Sequence, residues 1–361
     1  MNTVSSVTPA RVTIPLTAVE AADAELLAMG AYEPLNGFMT QDEYRGVVHD
    51  MRLPSGSLFP LPIVLPVAAE VAHEIAIGDV VNLAGPGGFQ AILRVTDRFE
   101  RSVESEARHV YLTNSREHPG VDRLFRMPRW CLAGPVTVVH VTPSPYGEPA
   151  TPKEVRAAIA QRGWRTVTFF QTRNPPHRAH EYLLKTVLEI TDGLVLHPLV
   201  GPTKSDDVPA SIRIKTYRAL ISGYFPANRV LLATFGAAMR YAGPREALFH
   251  ALVRKNFGAT HFIVGRDAAG VGYFYQAEAA RQLLERLAPE IGITPVTFDD
   301  IGYCCRCQAT VSRRTCPHPS DWIQMSGTMV RRLLRQGTMP PTEVMRPEVA
   351  EILMAAFQEE S

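Results

Sequence analysis

Apolar positions follow two rhythms along the chain. Over residues 1–152 they come in short runs broken by proline and glycine. The runs are Leu61-Pro62-Ile63-Val64-Leu65, Val80-Val81-Asn82-Leu83, Gln90-Ala91-Ile92-Leu93-Arg94-Val95 and Thr137-Val138-Val139-His140-Val141. Runs of this length, bounded by turn residues such as Gly85-Pro86-Gly87-Gly88, predict strands. Helical patterns over 20–29 and 41–49 precede them, so this part reads as β-rich with a little helix. Four prolines and a glycine in 143–152 mark a linker, and a helix over 153–162 opens the next part. From Arg165 the rhythm changes to alternating strand and helix. Strands are predicted over 167–170, 193–200, 230–233, 261–264 and 294–298, and helices over 178–190, 212–223, 245–256 and 276–287. That alternation predicts a parallel sheet with helices on both faces, whose ligands bind outside the carboxyl ends of the strands. Ser326-Gly327-Thr328 caps a helix over 329–335, Gly337 ends it, and a small helical tail closes the chain. The expected fold class is α/β multidomain, with domains over 1–152, 153–322 and 323–361.

Composition narrows the function classes. The 361 residues are 46% hydrophobic with a net charge of +1. That is too much chain for one small core, and the charge balance points to neither nucleic acid nor an anionic membrane as partner. The first thirty residues lack a charged start followed by an apolar core, so no secretory signal is expected. The most apolar stretch, 61–72, is short and interrupted by Pro62 and Pro66, so it cannot span a bilayer. A cytoplasmic protein is expected.

One ten-residue segment carries most of the candidate chemistry: Gln171-Thr172-Arg173-Asn174-Pro175-Pro176-His177-Arg178-Ala179-His180. It lies between the first strand of the alternating part and a helix. The N–H groups and positive dipole end of a helix favour an anion there. His177 and His180, at i and i+3, share a helix face, and Arg173 adds a planar fork that matches an oxyanion. A second loop, Gly265-Arg266-Asp267-Ala268-Ala269-Gly270-Val271-Gly272, follows the fourth strand, so both loops should open on the same sheet edge. Four of the five cysteines fall within 304–316. Cys304 and Cys307 make a Cys-x2-Cys half-site that Cys316 and His318 could complete as a structural zinc centre. Cys316-Pro317-His318 leaves one residue between ligands, which is tight, and Cys305 and Asp321 are substitutes.

These segments, in order, resemble the ATP sulfurylase family. The resemblance covers 27–39 and Met51-Arg52-Leu53 in the first part. It continues through the glutamine-threonine-arginine-asparagine-proline stretch with its two histidines, then 197–201, 238–247, 255–267 and 326–328. It implies a β-rich N-terminal domain of PUA-like type, a Rossmann-like nucleotidyltransferase α/β domain and a small helical C-terminal domain. It also implies the reaction. A sulfate oxygen attacks the α-phosphorus of ATP, pyrophosphate leaves and adenosine 5′-phosphosulfate forms, with Mg2+ accompanying the nucleotide and a homodimer as the assembly.

The same resemblance distributes the roles. Gln171, Arg173 and the backbone of Ala269 are expected on sulfate. His177 and His180 are expected at the β- and γ-phosphates, with at least one of them protonated or donating. Thr172 and Asn174 would lie near the α-phosphate, and Gln171, Gly265, Arg266 and Asp267 along the nucleotide. Zinc at the cysteine cluster is found in some bacterial members. Arg331, on the C-terminal helix, is a further cation that could approach the triphosphate. The chain departs from the family at Ala268, where histidine is usual, at Thr234-Phe235-Gly236 and at Pro176. Those departures leave two alternatives open: a same-fold adenylyltransferase for another oxyanion, and a non-catalytic nucleotide or oxyanion binder.

Overall fold

A computed structural model describes residues 12–140, 144–202, 207–265, 268–324 and 327–359. The chain forms two compact units. The first comprises Met1–Pro143, Gly236–Phe257 and Asp267–Ile293, and the second Ser144–Phe235, Gly258–Arg266 and Thr294–Ser361.

The first unit is built on a sheet of seven short strands. They are β1 (Thr13–Pro15), β2 (Gly37–Phe38), β3 (Leu65–Val67), β4 (Val80–Ala84), β5 (Gln90–Arg94), β6 (Asp97–Glu100) and β7 (Trp130–His140). The order is β1-β4-β5-β7-β2, with β3 and β6 also pairing with β7. Helices α1 (Ala18–Ala28), α2 (Gln41–Asp50), α3 (Ala69–Glu74), α4 (Val103–Val110) and α5 (Pro119–Arg126) connect them. Two sequence expectations shift. The strand read over 61–65 begins only at Leu65 and continues to Val67, with Pro66 inside it opposite Cys131. The strand read over 137–141 instead starts at Trp130 and runs through Gly134-Pro135. Gly134 has φ 139°, and a methyl there would stand 2.0 Å from the Arg94 carbonyl. The glycine therefore marks a bend with close backbone approach inside one strand.

In the second unit, α6 (Pro152–Gln161) leads into the predicted alternation: β8 (Val167–Phe170), α7 (Arg178–Leu188), β9 (Gly193–Leu196), α8 (Ala210–Tyr224) and β10 (Val230–Leu232). Helices α9 (Gly243–Asn256) and α10 (Ala279–Ile291), which belong to the first unit, precede β11 (His261–Val264) and β12 (Thr294–Thr297) in the chain. The sheet order is β10-β9-β8-β11-β12, and each neighbouring pair is parallel. Every residue of β8 and β9 is buried; both are apolar except for Thr168, whose hydroxyl pairs with that of Thr191 at 3.1 Å. A small antiparallel sheet follows, β14 (Ala309–Ser312), β13 (Ile301–Cys304) and β15 (Trp322–Gln324) in spatial order. The alternating pattern gave no warning of it.

The chain closes with α11 (Gly327–Arg335) and α12 (Pro347–Glu359). Val330, Leu334, Val344, Val349 and Leu353 join Leu184, Leu196, Tyr217 and Ile263 in one apolar core. Polar contacts fix this tail to α7. Arg346 places two nitrogens on the Glu181 carboxylate, at 2.9 and 2.7 Å, and Lys185 Nζ and Arg178 Nη1 reach it at 2.7 and 3.0 Å. The Arg346 guanidinium also lies over the Tyr224 ring of α8 at 3.7 Å.

Burial pushes the Glu181 carboxyl up, but Arg346, Lys185 and Arg178 outweigh it and bring it down to about 2. The folded state therefore holds this proton less tightly than the unfolded chain, whose glutamate titrates near about 4.3. The contribution to stability is complete above that value and disappears as pH falls toward 2. Urea unfolding of Glu181→Gln is expected to lose about 2 kcal/mol at pH 7 relative to the parent and to show a flatter acid limb. An unchanged acid limb would contradict the assignment.

Candidate active site

The sheet order places β8, first in sequence, between β9 and β11. To one side of β8 the chain builds β9 and then β10; to the other it builds β11 and then β12. That is a topological switch point, and the loops leaving β8 and β11 part there to leave a crevice at the carboxyl ends of the strands. The segment 171–180 leaves β8, and Gly265 follows β11 directly. A methyl at Gly265 would meet no atom within 4 Å, so space is open beside it. Arg266 and Asp267, expected along the nucleotide, lie outside the described residues, as does Ser326.

The loop is tied down from within and from below. Leu199 N donates to Thr172 O at 3.0 Å, and His197 N to Phe170 O at 2.9 Å. Thr172 is buried, and its hydroxyl accepts from Asn174 N at 3.0 Å. The Gln171 amide oxygen is buried and has no hydrogen-bond partner among the described residues. Arg173 extends its guanidinium to within 3.9 Å of the Asp207 carboxylate. A methyl built on Gly327, the first residue of α11, would stand 3.3 Å from Arg331 Nη1 and 3.8 Å from Asn174 Oδ1. The first turn of α11 thus comes up against the loop, with Arg331 folded beside it.

His177 is the N-cap of α7, and His180 stands in its first turn. The two rings stack with centroids 3.8 Å apart and an interplanar angle of 26°. His177 N donates to His180 Nδ1 at 3.3 Å. An accepting Nδ1 carries no proton, so the neutral His180 ring keeps its hydrogen on Nε2 and presents it as a donor. Burial lowers His177 to about 4; burial and then the neighbouring His177 hold His180 well below its usual value. Both rings are therefore neutral at pH 7 in the free protein. The pair offers a polyphosphate N–H donation and the positive end of a helix, and an arriving anion would raise both ring pKa values.

Ala268 and Ala269 belong to the first unit. There Ala269 adopts φ 57°, and its carbonyl accepts from Gly243 N at 3.1 Å. Of the other departures, Thr234 and Phe235 are interior. Thr234 N donates to Pro149 O at 2.9 Å, and Phe235 packs on the His197 ring at 5.4 Å. Their side chains fill the fold beneath the crevice.

A second polar cluster sits on the small antiparallel sheet. Cys304, Cys307, Cys316 and His318 bring one ligand atom each to within 4.8 Å of all the others. The Cys307 and Cys316 sulfurs are 3.7 Å apart, and His318 Nδ1 lies 3.9, 3.4 and 3.7 Å from Cys304, Cys307 and Cys316. Cys307 N also donates to Cys304 Sγ at 3.3 Å. The tight Cys316-Pro317-His318 spacing is accommodated by a bend at Pro317, which leaves His318 Nδ1 facing the three sulfurs. Neither Cys305 nor Asp321 is part of this cluster.

Sequence reasoning did not single out three residues of this neighbourhood: Asp207, Arg213 and Tyr217. Arg213 is 1% exposed and donates to Leu199 O at 2.7 Å and Val208 O at 2.8 Å. Its signal was available, as an arginine sitting among the inward positions of a helix that also buries Ile214, Tyr217 and Leu220.

These features define a nucleotide-type α/β fold with a polar, cationic loop at its switch point. Comparison with known proteins makes that class specific. A family model described as ATP-sulfurylase matches residues 149–356, and one described as PUA-like domain matches residues 6–141. The sulfate adenylyltransferase of Symbiobacterium thermophilum is 52% identical over 349 residues, which are 96% of this chain and 89% of that protein. That of a Synechococcus species is 47% identical over 343 residues, 94% and 87% of the two chains. Among solved structures, the hexameric APS kinase from Thiobacillus denitrificans superposes with a TM-score of 0.75 at 27% identity. It matches 95% of this chain, which spans only 62% of that protein's length. The chain belongs to the ATP-sulfurylase family.

The tautomer assignment can be checked directly. Ring 15N spectra of the free protein should show His177 and His180 neutral between about pH 6 and 8, with Nδ1 of His180 unprotonated. A ring titrating near its ordinary value would contradict the geometry.

Proposed function

We infer that this chain is a sulfate adenylyltransferase, an enzyme that transfers AMP from ATP to sulfate. A sulfate oxygen attacks the α-phosphorus in line, the bond to the β-phosphate bridging oxygen breaks, and pyrophosphate leaves with that electron pair. The reaction is reversible through the same site. The observation that carries the reading is the 171–180 loop at the switch point, where an arginine fork and two stacked histidines stand on one loop–helix turn. Sulfate is a weak nucleophile with no proton to remove at neutral pH. Catalysis therefore consists of placing it in line and neutralising charge, and no general base is required.

In this reading Gln171 and Arg173 hold sulfate, Asn174 faces the α-phosphate, and His177 and His180 donate to the departing β- and γ-phosphates. The positive end of α7 adds to them. Thr172 shapes the loop. Mg2+ accompanying the nucleotide would screen the triphosphate. The family resemblance supports a homodimer. Among the described residues no helix is long and apolar enough to cross a membrane; a cytoplasmic location is part of the proposal.

The cysteine cluster fits Zn2+. Tetrahedral bonds of about 2.0–2.3 Å require ligand atoms roughly 3.3–3.8 Å apart. Four of the six separations run from 3.4 to 3.9 Å, close to that cage, and all six lie within 4.8 Å. Three thiolates and one imidazole with no open position form a structural set that would brace the small sheet.

Two experiments test these readings. Purified protein with ATP and Mg2+ should release pyrophosphate with sulfate and much less with phosphate or other oxyanions. Arg173→Ala should lower that rate by roughly 10^3-fold or more while the melting temperature moves by less than about 3 °C. Release with another oxyanion but not with sulfate would overturn the substrate, and near-parental activity of the variant would overturn the arginine's role. Metal analysis of protein prepared without chelator should find about one zinc per chain, with Cys307→Ser losing it; a metal-free, equally stable parent would refute the zinc centre.

A further inference from the structure

We propose that Tyr217 is a positioning residue for the transfer reaction, holding the 172–174 turn in register without touching substrate; the proposal rests on the functional reading above. Tyr217 is fully buried on α8. Its hydroxyl donates to the Asn174 carbonyl and lies 3.2 Å from Thr172 Oγ1. Asn174 N donates in turn to Thr172 Oγ1 at 3.0 Å. These contacts close a ring. The Asn174 amide donates to the Thr172 hydroxyl, the Thr172 hydroxyl donates to the Asn174 carbonyl at 3.2 Å, and the Tyr217 hydroxyl faces both that carbonyl and the Thr172 oxygen as a donor. Both hydroxyls are hydrogen-bonded, so neither is left unsatisfied in the interior. Burial pushes the phenol pKa well above its ordinary value, so the hydroxyl keeps the proton the ring needs.

The ring acts where the loop cannot hold itself. Pro175 and Pro176 have no N–H, so the two positions after Asn174 contribute no backbone donor to a turn. The ring fixes the peptide units on either side of Asn174, immediately after Arg173, and so sets where both side chains emerge. One helical turn earlier, Arg213 donates to Leu199 O, and Leu199 N donates to Thr172 O. Residues 213 and 217 lie on one face of α8 and brace the same loop from two directions. A phenylalanine would fill the same space at 217. The hydroxyl is therefore needed for the loop rather than for packing.

Removing it should loosen the turn without unfolding the chain, because the Thr172 hydroxyl still donates to the Asn174 carbonyl at 3.2 Å. Tyr217→Phe is expected to lower kcat for sulfate-dependent pyrophosphate release by roughly 10- to 100-fold. Calorimetric affinity for Mg-ATP, whose outer phosphates are assigned to α7, should change by less than about threefold. Thr172→Val breaks the same ring, so the double variant should be about as slow as the slower single one, and Thr172→Ser should restore most of the rate. Parental kcat in Tyr217→Phe, or losses that multiply in the double variant, would overturn the proposal. If the parent itself shows no sulfate-dependent release, the functional reading fails separately. Amide hydrogen exchange at Asn174 then decides the ring alone: Tyr217→Phe should speed it at least about tenfold, and an unchanged rate would refute it.

Discussion

Everything at the candidate site depends on where β8 lies in its sheet. A parallel strand buried on both faces can expose polar chemistry only at its carboxyl end, because every other position is packed. Placing β8 between β9 and β11 sends successive connections to opposite sides and opens a crevice just beyond Phe170. Gln171 is therefore the first residue free to be polar, and the nine that follow inherit their positions from that exit. Strand order, more than any single side chain, puts an arginine and two histidines at one helix start.

Past that exit, the constraint becomes the satisfaction of polar groups. To place an oxyanion as proposed above the loop would have to be rigid, yet two consecutive prolines deprive it of backbone donors. The compensation comes from beneath, through hydroxyl and guanidinium groups on α8 and the amides of 197 and 199. The histidines show a similar economy. A charged pair of stacked rings 3.8 Å apart would repel. Burial keeps both neutral, and one backbone N–H fixes the His180 tautomer so that its outward nitrogen donates. Charge stabilisation can then develop with the anion and need not be carried at rest.

The C-terminal segment contributes by packing and by one carboxylate. Glu181 is on the same helix as the histidines, and it gathers Arg346, Lys185 and Arg178 around it. The tail's apolar residues enter the core of the α/β unit, so α7 is held from behind while its first turn faces the crevice. The cysteine cluster lies on the small three-stranded sheet between β12 and α11. Zinc bound there, as proposed above, would order a stretch with few buried apolar residues of its own.

Much of this was legible in the sequence. The strand–helix alternation after residue 165 located all five parallel strands, including β12, which is only partly buried and carries two threonines and a proline. The segment 171–180 announced itself by composition, since polar, cationic and imidazole residues at a strand–helix junction have few other uses. The Cys304, Cys307, Cys316 and His318 set was readable from spacing. Other features were not legible. The bend at Gly134 looked like the start of a strand because glycine and proline usually interrupt one. The antiparallel strands from 301 to 324 are short and half exposed, so neither period stands out. Above all, no local pattern says that Tyr217 lies under Asn174 or that Arg213 reaches Leu199. Those contacts join residues 14 to 43 positions apart, and distance along a chain carries no hydrogen-bond geometry. The sequence determined which polar groups leave the sheet together and at which edge. Only the tertiary structure decided how they are held, because the groups that hold them belong to another helix.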